Sequence, residues 1–507
     1  MGSFFIHSCA NIGLDARIVS VETDISSGLP RFNIVGLPDA AVSESRDRVR
    51  AALKNSGVSF PRTRITVNLA PADIKKQGPS YDLPIAVSLL AASGALPRPD
   101  WLSKAIFIGE LALNGRVRSV NGTLLAALLA KDLNVPLILS PDNASEAALV
   151  AGVQVHPIKT LAQLIKFLET ETELPNYKAS PIQICTKKHQ LDMASVKGQE
   201  HAKRALEIAA AGGHNILLSG PPGSGKTMLA RAFPSILPTL STKEALEVTK
   251  IHSVAGIHFK EDALITERPF RSPHHTSSSV ALVGGGSWPK PGEVSLAHRG
   301  VLFLDEFPEF KRSAIENLRQ PLEDGVIQIS RASGTIEFPA RFTLVAAMNP
   351  CPCGFVSDPK KTCTCTPIQI LKYQQKISGP LMDRIDLSIE VPRIDVDKLL
   401  ALKPGESSTD MRKRIQIARE RQRTRYQKEG LSSNAELSST QLNVHCKLDN
   451  EGRTLIKQAI ERLLLSARAY TRILKVSRTI ADLSGEDKIK TEHLAEALQY
   501  RMQREQN

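Results

Sequence analysis

The sequence of 507 residues is poor in aromatic side chains and has no long hydrophobic run. Phe, Trp and Tyr make up 5% of the residues, and only two are Trp. No apolar stretch approaches the roughly 18 residues that a membrane-spanning helix needs. The first residues also lack the basic segment and the long apolar core of a secretory signal peptide. We therefore expect a cytoplasmic protein with no membrane partner.

Cysteine is scarce as well, with seven residues in the whole chain. An odd number of cysteines in a large chain of this kind argues against a disulfide framework. Four of them nevertheless form two C-x-C pairs, Cys351 with Cys353 and Cys363 with Cys365. Four thiolates can close a tetrahedral structural Zn²⁺ site, although C-x-C is tighter than the usual ligand spacing. Redox-active thiols and a metal-free loop remain the alternatives.

Acidic residues are fewer than basic residues. The chain has 52 Asp and Glu and 65 Lys and Arg, which gives a net charge of +13. This balance indicates a polyanionic partner such as nucleic acid. The most basic stretch, 411–430, holds eight Lys or Arg and two Glu. A buried stripe of Ile415, Ala418 and Tyr426 would leave a basic face for phosphate contacts, although such a face is often only solvated. The outward candidates are Arg412, Arg419 and Arg423.

Composition and periodicity predict four parts in the chain. Residues 1–170 mix strands and helices as an α+β domain, and 171–193 are polar, aperiodic and suited to a linker. In 194–400, strands alternate with helices, which predicts a parallel sheet. Residues 401–507 are predicted to be helical.

The first part has the clearest local signals. Its alternating segments predict strands at 17–25, 31–37 and 64–70, and the turn pair Asn114-Gly115 predicts a hairpin. The helical pattern of 39–57 ends at a glycine, and a second, more apolar helix begins at Asp82.

A glycine-rich loop, "GPPGSGKT", follows the apolar segment "NILLS" and opens a helix. This context supports the phosphate-loop pattern G-x-x-x-x-G-K-[ST], whose backbone N–H groups surround phosphates. Lys226 would span the β- and γ-phosphates of ATP, and Thr227 would place its hydroxyl on Mg²⁺. The predicted nucleotide-binding residues are Gly220, Pro221, Pro222, Gly223, Ser224, Gly225, Lys226 and Thr227.

A second acidic motif, "VLFLDE", ends a predicted buried strand with Asp305 and Glu306. Asp305 can complete the Mg²⁺ shell, and Glu306 can orient and deprotonate an attacking water. Alone, such a run is often only a strand end. After a phosphate loop it predicts ATP hydrolysis.

These motifs, with "FTLVAAMNP", resemble the AAA+ ATPases, and Asn349 falls at the sensor-1 position near the γ-phosphate. The stretch 270–306 resembles the magnesium-chelatase ATPase subunits within AAA+. The whole chain, including "GLPDAAVSESRDRVRAAL" and "ITVNLAPADIKKQGPSYDLPIA", is similar to the YifB/ComM family. The resemblance implies an α/β AAA+ core, a parallel P-loop sheet and a C-terminal helical lid.

The resemblance also implies a ring, a hexamer, with ATP at the subunit interfaces. "SGPLMDRIDL" is similar to the segment that carries a trans-acting arginine finger, which would be Arg384. The alternative is a local ion pair of Arg384 with Asp383 or Asp386. "LLLSARAYTRILK" is similar to a sensor-2 helix, in which Arg468 would act in cis, with Arg472 as its competitor.

The N-terminal part resembles a Lon-like domain of the ribosomal S5 domain 2-like fold. Ser80 in "KKQGPSYDLPIA" corresponds to the protease serine, but Leu124 stands where the family has its lysine base. A serine without a base in reach is a weak nucleophile. We expect no proteolysis unless Lys75, Lys76 or Lys131 reaches Ser80, and we expect a role in ring assembly or DNA contact.

Two further segments suggest moving parts. "GVIQISRASGTIEFPARF" predicts a hairpin with Arg331 at its tip, which could grip a threaded DNA strand or pack against a neighbour. His274 and His275 are adjacent and have no carboxylate at ligand spacing, so a structural or gating role is favoured over a metal site.

The YifB/ComM resemblance implies a DNA branch-migration helicase that acts on recombination intermediates during natural transformation. Its partners would be branched or single-stranded DNA, other copies of itself, and recombination or competence proteins. Scarce aromatic residues favour contacts to the DNA backbone over base stacking. The residues alone support an ATP-driven ring motor on nucleic acid. Metal insertion of the magnesium-chelatase type and protein remodelling are the alternatives.

Overall fold

The computed structural model describes most of the chain in two compact units. The first comprises Met1–Ile184 with Leu246–Ile265, and the second comprises Cys185–Ala245 with Thr266–Asn507. The described residues are 4–95, 101–170, 172–178, 191–257, 264–286, 289–331, 334–358, 360–394, 405–463 and 465–501. Most of the predicted linker lies outside them. None of the described helices has the length and apolar content needed to cross a membrane.

The first unit is built on a seven-stranded mixed sheet with the order β3-β4-β2-β1-β5-β8-β9. Its strand β1 pairs antiparallel with β2 and parallel with β5, so it lies in the middle of the sheet. The sheet strands are β1 (Phe4–Ile12), β2 (Asp15–Ser26), β3 (Arg31–Val35), β4 (Arg64–Ala70), β5 (Ile106–Phe107), β8 (Leu137–Leu139) and β9 (Val155–Pro157). The strands β6 (Glu110–Leu111) and β7 (Val117–Arg118) form the predicted hairpin, whose Gly115 has a φ of 81°.

Helices cover this sheet with their apolar sides. Every residue of α3 is buried, which agrees with its almost wholly apolar sequence and its packing on β1 and β2. The helices of the first 184 residues are α1 (Ala40–Ser43), α2 (Ser45–Asn55), α3 (Asp82–Ala92), α4 (Thr123–Leu133), α5 (Pro141–Ala147) and α6 (Leu161–Thr170).

The second unit contains a five-stranded sheet with the order β11-β14-β17-β10-β18, and all of its pairs are parallel. This confirms the predicted parallel sheet. Its strands are β10 (Ile216–Ser219), β11 (Phe270–Arg271), β14 (Val301–Leu304), β17 (Thr343–Met348) and β18 (Leu387–Glu390). Because the strands are parallel, the loops that follow β10, β14 and β17 meet at one edge of the sheet.

Two small antiparallel hairpins extend from this sheet. One pairs β12 (Gly284–Gly285) with β13 (Lys290–Pro291). The other pairs β15 (Val326–Arg331) with β16 (Gly334–Pro339), which confirms the hairpin predicted around Arg331. The side chain of Arg331 lies outside the described part of the structure.

Helices surround the parallel sheet and fill the carboxyl-terminal part of the chain, as the sequence predicts. Around the sheet they are α7 (Glu200–Gly212), α8 (Lys226–Ala232), α10 (Ser279–Val283), α11 (Glu293–Leu296), α12 (Arg312–Glu316), α13 (Arg319–Asp324), α14 (Pro367–Gln374) and α15 (Gly379–Met382). Helix α9 (Thr242–Ala255) begins in the second unit and belongs to the first unit from Leu246 onward. The helices that follow are α16 (Ser408–Arg425), α17 (Ser439–His445), α18 (Asn450–Leu463), α19 (Ala467–Leu483) and α20 (Thr491–Gln499). Ser407 and Ser466 cap α16 and α19 through side chains that accept backbone N–H groups.

Candidate nucleotide-binding site

The phosphate loop joins the buried strand β10 to α8, which begins at Lys226. Gly223 and Gly225 adopt left-handed φ values of 78° and 94°, which glycine adopts without strain. A Cβ built on either glycine would meet no atom within 4 Å. The loop is therefore an open cradle at a helix N-terminus, the environment that phosphate groups favour.

Lys226 extends back along this loop. Its Nζ donates to the carbonyl oxygens of Gly220 at 2.6 Å and Pro221 at 2.9 Å, and to Oδ1 of Asn349 at 3.3 Å. Burial lowers the pKa of Lys226, and the carboxylate of Asp305 opposes this effect. The structure thus brings the predicted sensor-1 residue next to the phosphate-loop lysine.

A hydroxyl and a carboxylate meet where Mg²⁺ is predicted. Thr227 Oγ1 donates to Asp305 Oδ2 at 2.8 Å, although β17 lies between the strands that precede these two residues. Hydroxyl and carboxylate oxygens are ligands that Mg²⁺ prefers, usually together with phosphate oxygens and water. The two side chains therefore fit a shared magnesium site.

Glu306 is held in an unusual backbone conformation beside a histidine. Its φ is 51°, a left-handed value that is uncommon for a residue with a side chain. Oε2 of Glu306 lies 3.1 Å from Nδ1 of His275, whose ring packs edge-on against Phe310. The sequence favoured a structural or gating role for His275, but it gave no sign that Glu306 would be its partner. The contact orients the carboxylate that is predicted to activate water.

A cavity of about 780 Å³ opens beside the phosphate loop. Ser219, Pro350 and Gln199 are among its lining residues. Gln199 Nε2 donates to the carbonyl oxygens of Ser224 at 3.3 Å and Pro392 at 2.6 Å, so it joins the loop to the end of β18. The cavity is the candidate place for the nucleoside part of a nucleotide. Sequence reasoning did not identify Gln199.

The four clustered cysteines lie together directly after Asn349. The Sγ atoms of Cys351, Cys353 and Cys363 are 3.4, 3.7 and 3.5 Å apart, and Cys365 completes a group within 4.8 Å. Backbone N–H groups of Phe355 and Thr364 lower the pKa of Cys353 to about 5. The arrangement can hold a metal ion.

The three arginines predicted to contact ATP phosphates line a second cavity, of about 540 Å³, at the other edge of the sheet. Asn215, Gly300 and Thr343, which start or immediately precede β10, β14 and β17, line the same cavity. A four-residue strand spans roughly 13 Å at about 3.3 Å per residue. Arg384, Arg468 and Arg472 therefore lie at the amino ends of the strands, away from the phosphate loop at the carboxyl ends.

Arg384 makes an ion pair within its own chain, with a partner that the sequence did not suggest. Its guanidinium donates to the carbonyl oxygen of Pro380 at 2.6 Å and pairs with Glu323 of α13. Its side chain is 15% exposed, whereas that of Glu323 is 56% exposed. The partner is therefore Glu323, 61 residues away in the sequence, instead of Asp383 or Asp386, which the alternative interpretation named.

Arg468 and Arg472, one helical turn apart on α19, differ in burial. Arg472 is buried and donates to the carbonyl oxygen of Ile385 at 3.0 Å, which is a structural contact. Arg468 is 57% exposed and lies 3.9 Å from Asp383. The expected cis role of Arg468 disagrees with this position, because its own phosphate loop follows the opposite ends of the strands.

The basic helix α16 corrects part of the nucleic-acid prediction. Ile415, Ala418 and Tyr426 are buried as expected, but Arg412 and Arg419 point inward rather than outward. Arg412 Nε donates to the carbonyl oxygen of Ser235 at 2.9 Å. Carbonyl oxygens inside a fold need hydrogen-bond donors, and the guanidinium groups of these two arginines supply them. Both arginines therefore stabilise the fold, although they still count toward the net charge.

Arg419 has the most complete set of such contacts. It donates to the carbonyl oxygens of Ala210 and Ser432, each at 3.0 Å. Burial, together with the nearby Arg268, lowers its pKa to about 10. Arg423 is more exposed and lies 3.7 Å from Glu244.

We therefore predict that Arg419→Ala destabilises the protein instead of selectively weakening DNA binding. Leaving two partly buried carbonyl oxygens without donors, and a space where the guanidinium packed, should lower the free energy of unfolding by about 2 kcal/mol. Denaturant unfolding measures this change, with Arg423→Ala as the control on the same helix, expected to change stability by less than about 0.5 kcal/mol. An unchanged unfolding curve combined with weaker DNA binding would restore the original interpretation.

The residues that correspond to the Lon protease site, which we expected to be inactive, have other partners in the first unit. Lys76 is buried, and its Nζ donates to the carbonyl oxygen of Pro71. Leu124 is part of a hydrophobic cluster, and Lys131 is exposed on α4. The carbonyl oxygen of Ser80 accepts from the N–H of Gly109. Burial also lowers the pKa of Lys76, the one lysine of the three that is enclosed near this turn.

Three family models of the magnesium-chelatase ChlI subunit match the chain. Residues 21–143 match "Subunit ChlI of Mg-chelatase", 192–399 match "Magnesium chelatase, subunit ChlI", and 405–501 match "Magnesium chelatase, subunit ChlI C-terminal". Together the matches extend over both structural units.

The chain is similar over its whole length to some known proteins and over about a third of its length to others. The chain is 46% identical over 509 residues to "Competence protein ComM" of Haemophilus influenzae, covering 99% of this chain and 98% of the relative. It is 46% identical over 503 residues to the uncharacterized protein YifB of Escherichia coli, with 99% and 97% covered. A magnesium-chelatase 67 kDa subunit of Chlorobaculum parvum is 28% identical over 161 residues, which cover 31% of this chain and 23% of the relative. With its end-to-end similarity to the first two relatives, the chain belongs to the YifB/ComM family of magnesium-chelatase-like AAA+ ATPases.

Proposed function

We propose that this protein is a hexameric, ATP-hydrolysing ring motor that moves DNA branch points in recombination intermediates. The observation that carries the proposal is the division of the site between two edges of one sheet. Lys226, Thr227, Asp305 and Asn349 meet at the carboxyl edge, and Arg384 lies at the amino edge. Two copies arranged head to tail would join these halves, and repetition of such a contact closes a ring.

Each residue of the carboxyl edge has a proposed step in hydrolysis. The phosphate-loop N–H groups and Lys226 bind and orient the phosphates of ATP. Mg²⁺ held by Thr227 and Asp305 would supply charge neutralisation when bound. Glu306, oriented by His275, accepts a proton from the attacking water, and Asn349 contacts the γ-phosphate or that water.

The neighbouring copy would supply positive charge to the same reaction. Arg384 could enter as a cation that stabilises charge developing on the transferred phosphoryl group, an effect worth about 10³-fold or more. The exposed Arg468, in the same cavity, is proposed to act in trans as well, instead of in cis. We assign Arg472 no role in ATP hydrolysis, because its guanidinium is buried and donates to a main-chain carbonyl oxygen.

DNA is the proposed substrate on three grounds. The net charge is +13, and the hairpin of β15 and β16 leaves the ATPase sheet just before the sensor strand β17. The relative named as a competence protein matches almost the whole chain, whereas the chelatase 67 kDa subunit matches 31% of it. This difference in coverage favours DNA processing over metal insertion into a porphyrin. Recombination or competence proteins are the proposed partners.

The cofactors of this proposal are ATP and Mg²⁺, with Zn²⁺ in a structural role on Cys351, Cys353, Cys363 and Cys365. Four sulfur ligands leave no open coordination position, so a catalytic zinc is not proposed.

The test of DNA action is ATP turnover with and without defined DNA structures. We expect a four-way junction or a fork to stimulate turnover several-fold, and binding to weaken steeply with salt because phosphate contacts release counterions. Blunt duplex of the same base composition is the matched substrate control, and Lys226→Ala measures the background. Porphyrin with Mg²⁺, and an unfolded protein, test the two alternatives.

Two results would contradict the proposal. One is the same turnover rate with junction, single-stranded and duplex DNA as without DNA. The other is stimulation by unfolded protein alone, which would support protein remodelling instead.

A further inference from the structure

The loop that carries the four cysteines packs directly on the phosphate loop. Gly354, inside the cysteine loop, has a φ of 85°, and a Cβ built on it would lie 2.6 Å from Cδ and 2.8 Å from Cγ of Pro222. Such distances leave no room for a side chain. The backbone at Gly354 is thus a close support for the Pro222 side of the ATP-binding loop.

The same loop is tied to the sensor residue at both of its ends. It begins immediately after Asn349 and Pro350. It ends at α14, whose Gln374 donates from Nε2 to the carbonyl oxygen of Pro350, the residue after Asn349, at 3.4 Å. A capping box of Thr366 and Gln369 fixes the start of α14. Both ends of the cysteine loop are therefore held beside Pro350.

The sulfur atoms have the spacing of a metal site instead of a disulfide. Tetrahedral Zn²⁺ with Zn–S bonds of about 2.3 Å places its sulfurs roughly 3.8 Å apart, and three of the measured separations are 3.4, 3.5 and 3.7 Å. A disulfide would need about 2.05 Å. Backbone N–H groups also point at the sulfurs, from Gly354 to Cys351 at 3.2 Å and from Cys353 to Cys365 at 3.4 Å. Such hydrogen bonds stabilise metal-bound thiolates.

We propose that Cys351, Cys353, Cys363 and Cys365 bind one Zn²⁺, and that the closed metal site is a positioning element of the ATP site. The metal fixes the cysteine loop, Gly354 supports Pro222, and Gln374 holds the carbonyl of Pro350 next to Asn349. Loss of the metal loosens both contacts, so nucleotide affinity and turnover fall together. This proposal rests on the ATP site of the proposed function, but not on DNA as the substrate.

The first experiment measures the metal itself in the full-length protein. Metal analysis, and zinc release by a reagent that modifies the cysteine thiolates, should each give one zinc per chain. Substitution by Co²⁺ should give the absorption spectrum of tetrahedral cobalt bound to thiolates. Cys353→Ser and Cys363→Ser should each lower the zinc content at least tenfold. Cys446→Ala is the matched control, since Cys446 is buried among the carboxyl-terminal helices and should leave one zinc in place.

The second experiment separates the metal from its contact with the ATP site. Gly354→Ala should retain zinc but weaken binding of a fluorescent ATP analogue about tenfold or more, because it pushes against Pro222. Cys363→Ser should lose zinc and weaken the same binding. Both measurements are made without DNA, so failure of the helicase proposal cannot change them.

Each result decides one part of the inference. No zinc and no tetrahedral cobalt spectrum, or sulfurs that only cross-link on oxidation, would overturn the metal site. Zinc at one per chain with unchanged nucleotide binding in both Cys363→Ser and Gly354→Ala would overturn the positioning role. Loss of binding in Gly354→Ala together with full zinc content would support it.

Discussion

Replacement of Glu306 by Gln is expected to leave ATP bound and to slow its hydrolysis by about 100-fold or more. The amide keeps the size of the side chain but cannot accept a proton from water at neutral pH. Lys226, Thr227 and Asp305, which hold the phosphates and Mg²⁺ in the proposed site, are unchanged. This variant should therefore bind ATP with its normal affinity and hydrolyse it slowly.

The measurement is single-turnover hydrolysis beside titration with a fluorescent ATP analogue. Glu309→Gln is the matched control, since Glu309 lies three residues later, is exposed, and pairs with Lys376 at 3.1 Å. We expect Glu309→Gln to stay within about twofold of the unmodified protein. If Glu306→Gln hydrolysed ATP at the normal rate, the general base would have to be another group.

The sequence predicted the parts of the fold that depend on local patterns. The alternating segment 64–70 became β4 with these bounds, and the apolar run from Asp82 became the buried helix α3. Strand–helix alternation correctly predicted the parallel sheet. The strand β1 was not predicted, although it lies in the middle of its sheet. Its buried Ser8 and the polar His7 interrupt the pattern that marks a strand.

Contacts between distant residues could not be read from the sequence. Arg419 was predicted to face outward because it lies off the buried stripe of α16, but its guanidinium donates to backbone carbonyl oxygens of two other segments. His275 meets Glu306, and Arg384 meets Glu323, only after the parallel strands are aligned. The sequence also gave no sign that residues 246–265 would pack with the first unit. The motifs could indicate the type of chemistry, because each motif needs particular residue types at short spacing. The contacts of a side chain with distant residues depend on the folded chain.

Arg384→Ala is expected to lower ATP turnover by about 10³-fold while nucleotide stays bound. The arginine lies at the opposite edge of the sheet from its own phosphate loop, so its removal should not disturb binding there. Arg341→Ala is the matched control, because Arg341 lines the same cavity and pairs with Glu436 at 3.4 Å. We expect this control to change turnover by less than about threefold.

Mixing two inactive variants tests whether Arg384 acts on a neighbour. Arg384→Ala chains keep Glu306, and Glu306→Gln chains keep Arg384, so a mixed ring contains some interfaces with both groups intact. Random mixing in equal amounts should restore roughly a quarter of the normal turnover. Recovery would also require Arg384 to exchange Glu323, its partner in the single chain, for a phosphate of the neighbouring site. If no mixture regains activity at any ratio while the unmixed parent chains form rings, the arginine does not work across the interface and the composite site is wrong.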